Sequence, residues 1–427
     1  MKLYDLIRPP ATVGLTVYFR KIYFTGKEHI PTDKPILLAA NHPTAFLDPC
    51  LLACFQPRKL HFLARGDFFI NKWISAGLRS LHIIPIFRLK DGGYSSIKRN
   101  YATFARCFEY LQQQKAIMIL AEGGTAHEKR LRPLKKGTAR IAFGTLQEQP
   151  DLDLQIVPIG INYTYADRYR SQVMIQCAPP ISVQSYWEHY QTNPRQATRA
   201  LLTELRKRMV SNMIIIEKEA DEPLAEQLFR LVRNEQPARF LPLVSEESTP
   251  LRREQAVCMW LNQASELEKQ NVGRQTEQYR RALRAVNVSD YGLQQLAQPR
   301  KRVGLVVVLG SLPFAIGYLG NYLPLRLGKW IGTRTAPHIT FYSSITAVSG
   351  MLAWIFYYLS WWLFTLVVPL PIPTYWIWIL LVLLPFLGYF ALYYQHTYRY
   401  WKAVQRAKKL SPTCQTRLLQ LRPVLAR

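Results

Sequence analysis

The chain has 427 residues, with 55 Lys+Arg against 28 Asp+Glu, a net charge of +27 and 49% hydrophobic residues. A chain of this size predicts two or three domains of about 100–200 residues, with ample material for a core. Apolar and aromatic residues run its whole length, which excludes a fibrous or disordered protein. In chain order, residues 1–30 come first, as an amphipathic or interfacial lead-in in which Leu3, Leu6, Ile7, Val13, Leu15, Val17, Tyr18 and Phe19 lie among basic residues. The pattern fits membrane contact and a plain core helix equally. No uninterrupted apolar region with a cleavage site opens the chain, so no secretory signal is expected. Six dispersed cysteines, with the pair Cys50 and Cys54 lacking a second pair, predict reduced thiols and no zinc or other metal site.

Residues 31–181 alternate short apolar runs with amphipathic stretches. Strands are predicted at 35–40, 60–64, 83–87, 116–121, 155–162 and 173–177, and helices near 49–56, 73–81, 98–113 and 137–146. This alternation predicts an α/β domain with a largely parallel sheet and flanking helices. Catalytic groups are then expected in loops just past the strand ends. Residues 182–300 read as a helical, charged module, with amphipathic stretches at 194–219 and 252–285 and a Pro-containing break at 236–250.

The acidic residues stop at Asp290: residues 291–427, 137 positions, hold 14 Lys+Arg and no Asp or Glu. A segment lying in or on an anionic bilayer avoids carboxylates in this way. Residues 301–427 accordingly read as a membrane anchor with a basic tail. Three uncharged stretches, 303–325, 343–368 and 374–394, compare with the ~20 residues needed to cross a bilayer. The last two, joined by Pro369-Leu-Pro-Ile-Pro373, read as a transmembrane hairpin. Stretch 303–325 is interrupted by Gly310, Pro313, Gly317, Gly320 and Asn321 and reads as re-entrant. Arg300–Arg302, the loop bearing Arg326, Lys329 and Arg334, and the tail after His396 are all basic. The positive-inside bias puts all three in the cytoplasm, and two crossings satisfy it.

Four short segments carry chemistry. In Ala40-Asn41-His42-Pro43-Thr44-Ala45-Phe46-Leu47-Asp48-Pro49 a strand ends and a His follows at once, with an Asp six residues on. A neutral imidazole there can act as a general base, with a carboxylate holding one ring proton so that the other nitrogen faces substrate. Read locally, His42 could equally be a turn residue and Asp48 a cap for a helix at Pro49. The strand Ile83-Ile84-Pro85-Ile86-Phe87 delivers Arg88, suited to bidentate phosphate binding. The strand Ile117-Met118-Ile119-Leu120-Ala121 ends in Glu122-Gly123-Gly124, where backbone N–H groups can approach an anion or simply make a turn. Between Lys129 and Arg140 lie six basic residues in twelve, among them Arg132, Lys135 and Lys136, leading into a helix. Such a loop suits a phosphomonoester or a phosphopantetheine, or else lipid headgroups.

Taken in order, Asn41-His42…Asp48, Phe87-Arg88, Glu122-Gly123 and Val157-Pro158-Ile159-Gly160 resemble the four-block pattern of the glycerolipid acyltransferases, the glycerol-phosphate and lysophosphatidate acyltransferases. The resemblance covers roughly residues 30–180, and Leu131 to Ala142 is similar to the segment after the third block in bacterial members. Five residues separate His42 from Asp48, where the usual pattern has four, and Leu120-Ala121 stands where Phe-Pro is usual. The resemblance implies transfer of a fatty acyl group from acyl-CoA or acyl-carrier protein to a glycerol hydroxyl, with no metal or redox cofactor. It makes His42 the general base and Asp48 its orienting partner. Arg88, Glu122 and Gly123 then bind the phosphorylated acceptor beside Asn41, Gly124 and the basic loop, and Val157 and Pro158 shape the acyl side. The expected acceptor is glycerol-3-phosphate, ahead of lysophosphatidate or dihydroxyacetone phosphate, and the expected setting is a bacterial inner membrane with the catalytic domain cytoplasmic. The basic charge excludes little by itself, but no nucleic-acid-binding motif accompanies it. The rival from another class is a non-catalytic adaptor that binds anionic membrane lipids.

Overall fold

The computed structural model describes residues 3–87, 89–297, 300, 302–368 and 373–423. These divide into two compact units. One comprises Met1–Ile215, Leu243–Ser248 and Pro337–Ser344, the other Ile216–Pro242, Thr249–Ala336 and Ile345–Arg427.

The first unit is built on a mixed sheet with flanking helices. Helix α1 (Leu3–Tyr18) is followed by strand β1 (Lys21–Thr25), β2 (Ile36–Ala40), α2 (Leu47–Phe55), β3 (Leu60–Arg65), α3 (Lys72–Ser80) and β4 (Ile83–Ile86). Then come α4 (Leu89–Gln112), β5 (Ala116–Leu120), α5 (Gly137–Glu148), β6 (Gln155–Tyr163), β7 (Gln172–Cys177), β8 (Ile181–Ser182), α6 (Trp187–Thr192) and α7 (Pro194–Ser211). The strand order is β4-β3-β5-β2-β6-β7-β1, with β8 also on β6. Every residue of β2 (ILLAA) and β6 (QIVPIGINY) is buried, the continuous apolar run expected of a strand covered on both faces. Pro85 lacks a ladder donor and sits in β4, at the end of that order. The sheet is parallel from β4 to β6 and turns antiparallel where β6 meets β7 and β8. Leu37, Ile117, Phe143, Ile156 and Leu201 lie in one core cluster under α4, α5 and α7.

Three boundaries differ from the sequence reading. Lead-in residues 21–25 are β1, pairing in parallel with β7, so part of the lead-in belongs to the sheet, while α1 buries Tyr4, Leu15 and Tyr18 and exposes Leu6 and Val13. The unit runs past 181 to Ile215, because α7 packs Leu201, Leu205 and Met209 into the core. A Cβ at Gly160 of β6 would lie 2.2 Å from the Asn212 carbonyl oxygen, so this close approach needs a glycine. The break at 236–250 contributes β9 (Val244–Ser245), which pairs with β1.

The second unit is helical: α8 (Glu222–Glu235), α9 (Thr249–Gln263), α10 (Glu266–Ala285), α11 (Asp290–Gln294), α12 (Val303–Leu309), α13 (Ser311–Thr335), and, beyond the first residues of α14 (Ile339–Val367), the rest of that helix, α15 (Thr374–Lys408) and α16 (Pro412–Leu421). The predicted helix at 252–285 is two, because Ser265 caps α10 in a reciprocal box with Glu268. Helices α14 and α15 are long and apolar enough to cross a membrane, while α12 and α13 form a pair bent by 60°, either a broken span or a re-entrant element. Arg326, Lys329 and Arg334 lie within α13 rather than in a loop. Asn321, read as an interruption, is a packing residue: its Nδ2 donates to the Leu384 carbonyl of α15 at 3.1 Å, and Trp354 Nε1 donates to its Oδ1 at 3.0 Å. Residues 369–372 of the expected hairpin turn lie outside the described residues.

Candidate active site

β2 and β5 are adjacent and parallel, so the residues just past their carboxyl ends meet. His42 follows β2 and Glu122 follows β5. The His42 backbone N–H donates to Glu122 Oε1 at 3.0 Å. His42 Nδ1 lies 2.9 Å from Asp48 Oδ2, so the five-residue connection closes the pair despite its extra residue. Asp48 opens α2 and is fully buried. Its Oδ2 also accepts the Thr44 N–H at 2.9 Å, and its Oδ1 accepts the Thr44 hydroxyl at 2.8 Å and the Tyr163 hydroxyl at 2.6 Å. Burial, followed by the charge of Asp48, pushes the Tyr163 phenol well up, so it stays protonated and donates. An ionised carboxylate only accepts, which assigns the ring proton to Nδ1 and leaves the Nε2 lone pair free. The His42 side chain is 11% exposed and lines a cavity of about 2370 Å³.

That cavity is lined mainly by apolar groups of α1 to α4 and β3, among them Ile7, Ala53, Phe62, Leu78 and Phe104. Beside His42 its wall carries Glu122, Gly123, Gly124, Arg132 and Lys135, and Arg140 lines the same cavity. Both oxygens of Glu122 are occupied. Oε2 accepts Arg132 Nε at 2.8 Å and the Arg132 backbone N–H at 3.2 Å, and Arg132 Nη2 donates to the Gly124 carbonyl. A carboxylate facing a phosphate would repel it, whereas one anchoring a guanidinium presents a cation there. Glu122 thus holds Arg132 at the cavity wall. Gly123 has φ of +67°, a left-handed conformation that a side chain would strain.

The other predicted site residues are placed as follows. Asn41 is buried and spends its amide on the fold, its Nδ2 donating to Ile161 O at 3.0 Å and its Oδ1 accepting Ile161 N–H at 2.7 Å. Lys136 is exposed and precedes α5, and it is not among the described lining residues. Val157 and Pro158 are buried within β6, opposite Leu38 and Ala39 of β2, and are likewise not among the described lining residues. Arg88 lies outside the described residues. Sequence reasoning missed Thr44 and Tyr163. Thr44 stands four residues before Asp48, a spacing suited to a side-chain bond at a helix start. Tyr163 has no local signal.

Cys50 and Cys54 also line the cavity. Burial, then neighbouring Cys54 and Asp48, pushes the Cys50 thiol up to about 12, so it stays protonated and is a poor nucleophile. The arrangement thus offers an imidazole oriented by a carboxylate beside a thiol that is not activated.

Residues 21–162 match the Acyltransferase family model. This region is an acyltransferase-family domain. The chain is 29% identical over 196 residues to glycerol-3-phosphate O-acyltransferase 1 of Saccharomyces cerevisiae, across 42% of this chain and 25% of that protein. It is 30% identical over 123 residues to the 1-acyl-sn-glycerol-3-phosphate acyltransferase of Bacillus subtilis, across 29% of this chain and 55% of that protein. The acyltransferase domain is thus shared with relatives of which this chain spans about half the length or less. The crystal structure of the 1-acyl-sn-glycerophosphate acyltransferase PlsC from Thermotoga maritima aligns with a TM-score of 0.37 and 17% identity, over 49% of this chain and 78% of that one.

Proposed function

We propose that the protein is a membrane-bound O-acyltransferase that moves a fatty acyl group from an acyl thioester, acyl-CoA or acyl-carrier protein, to a hydroxyl of glycerol-3-phosphate. The observation that carries this reading is the His42–Asp48 pair opening on a large apolar-walled cavity, with Arg132 and Lys135 beside it. In this reading His42 Nε2 takes the hydroxyl proton as the alcohol oxygen attacks the thioester carbonyl. The carbon–sulfur bond breaks, and the imidazolium returns the proton to the leaving thiolate. Asp48 keeps the ring in the useful tautomer and stabilises the imidazolium. A thioester is already activated, so holding alcohol, base and carbonyl together supplies most of the advantage, and no metal or redox cofactor takes part.

Arg132, Lys135 and the backbone at Gly123 and Gly124 hold the phosphate in this reading, and Arg88 and Lys136 are further candidate ligands for it. The apolar cavity wall takes the acyl chain in place of Val157 and Pro158. Helices α14 and α15 anchor the chain, with the basic segments on the cytoplasmic side. A lysophosphatidate acceptor is the second reading, favoured by the Bacillus subtilis relative. An acceptor panel of glycerol-3-phosphate, dihydroxyacetone phosphate and lysophosphatidate, run with both thioester donors on detergent-purified protein, tests the assignment. Acylated glycerol-3-phosphate is the expected product. Transfer to lysophosphatidate alone selects the second reading, and binding to anionic vesicles with no transfer at all selects an adaptor.

A further inference from the structure

The loop at 43–47 sets the geometry between the imidazole and its carboxylate, and three of its consecutive amides have acceptors of different origin. Thr44 N–H is taken by Asp48 Oδ2. Ala45 N–H donates to the Thr340 carbonyl at 3.1 Å, and Phe46 N–H donates to the Ser344 hydroxyl oxygen at 2.9 Å. Both acceptors come from Pro337–Ser344, nearly 300 residues downstream yet part of the same compact unit. This segment is itself tied down. Ser344 is fully buried, Ser343 Oγ donates to the Ala166 carbonyl, and His338 Nδ1 sits 3.1 Å from Thr340 Oγ1. The Phe341 ring stands edge-on to Phe46, centroids 5.8 Å apart, while Phe68 flanks Phe46 at 5.9 Å. His338, Thr340 and Phe341 also line the cavity that His42 lines.

The Phe46–Ser344 bond is partly shielded from water, and backbone amides need acceptors, so a loop whose amides are satisfied from elsewhere holds its shape best while that segment is in place. We propose that Pro337–Ser344 is a positioning element of the active site, in which Ser344, by accepting the Phe46 amide, fixes the loop that holds Asp48 against His42. The inference rests on the reading of His42 as the base, and it assigns a catalytic contribution to a segment outside residues 21–162. Ser344 touches no reacting atom. It acts through Asp48, which gives its loss a signature that general destabilisation lacks.

The test compares full-length wild type, Ser344→Ala, Asp48→Asn and the double variant in detergent, by steady-state kinetics and by hydrogen exchange of the peptide covering residues 43–48. Ser344→Ala is expected to lower kcat about tenfold, leave the acceptor KM within about twofold and speed exchange in that peptide. In the Asp48→Asn background the same substitution is expected to cost less than about twofold, because both changes act through one bond. Should Ser344→Ala fold poorly, Ser344→Cys, similar in size but a weak acceptor, should give an intermediate kcat with a wild-type melting temperature. An active wild type whose kcat is unchanged in folded Ser344→Ala removes this inference alone. A loss that multiplies undiminished onto Asp48→Asn does the same. A wild type that acylates none of the phosphorylated glycerol acceptors removes the reading of His42, and this inference with it.

Discussion

Two buried aspartates, one in each compact unit, show how the same side chain is turned to different ends. Asp48 accepts from Thr44 N–H, the Thr44 hydroxyl and the Tyr163 hydroxyl, all neutral donors, and its remaining partner is the His42 ring. Asp290 accepts the Tyr279 hydroxyl at 2.8 Å and Asn234 Nδ2 at 2.9 Å, but also Arg422 Nε at 2.9 Å. Arg422 further reaches Glu235 at 2.7 Å and the Leu231 carbonyl at 2.9 Å. A guanidinium is always charged, so the charge of Asp290 is permanently compensated and the cluster serves to pin α8, α11 and the end of the chain. Asp48 has no such cation among the partners described, and the group able to become positive beside it is His42. In the proposed reading, that difference separates a carboxylate that promotes proton uptake on a base from one that holds helices together. Glu122, paired to Arg132, is likewise compensated by a cation, although it lies beside His42.

The largest effects should come from the uncompensated pair. His42→Ala removes the proposed base, and general-base assistance contributes about 10²–10⁴-fold. A loss of kcat of at least about 10²-fold in a variant with unchanged melting temperature is expected, and near-normal turnover would break the comparison outright. Asp48→Asn keeps the shape but offers an amide to Nδ1, which favours the wrong tautomer. About 10³-fold in kcat, with little change in acceptor KM, is expected from steady-state assays. Stability should move the other way between the two clusters. Arg422→Met strands the buried Asp290 without a cation and should cost about 3 kcal/mol in denaturant unfolding, with turnover per folded molecule unchanged. Loss of turnover in that folded variant would mean that the second unit's cluster is not merely structural.

Which parts of this were legible in the sequence follows from chain distance. His42, Asp48 and Glu122 sit in short segments where a strand run ends in a polar group, and both the strands and the meeting of their ends could be anticipated from patterning alone. Tyr163 and Ser344 reach the same loop from far along the chain, as residue types common anywhere, so no local pattern marks them. β1 and β9 were hidden for a different reason. The run KIYFT lies directly behind an apolar helix, and a two-residue strand has no period to detect. Asn41 was legible as important but not as what it is, since an amide that continues a ladder and one that binds a ligand look alike in sequence. The basic loop is similar: Lys129 Nζ donates to the Tyr163 carbonyl at 2.9 Å, and Arg130 pairs with Glu128 at 3.3 Å, so part of its charge supports the fold.

The smallest expected effect gives the sharpest form of the comparison, because the two aspartates each accept from a buried tyrosine. In both cases burial first, and the adjacent carboxylate next, push the phenol up, so each tyrosine donates throughout the physiological range. Tyr163→Phe and Tyr279→Phe therefore delete the same bond from two carboxylates that differ in compensation. Each should cost about 1 kcal/mol of stability, the usual net worth of such a bond. Only Tyr163→Phe should lower kcat, by about tenfold, since Oδ1 of Asp48 then keeps the Thr44 hydroxyl alone and the carboxylate is freer to turn from Nδ1. Tyr279→Phe leaves Arg422 on Asp290 and should leave kcat within about twofold. Parallel melts and steady-state kinetics on the two variants read both quantities. Equal losses of kcat would show that the rate follows general stability, and that the two carboxylates are not divided by the cation that only one of them holds.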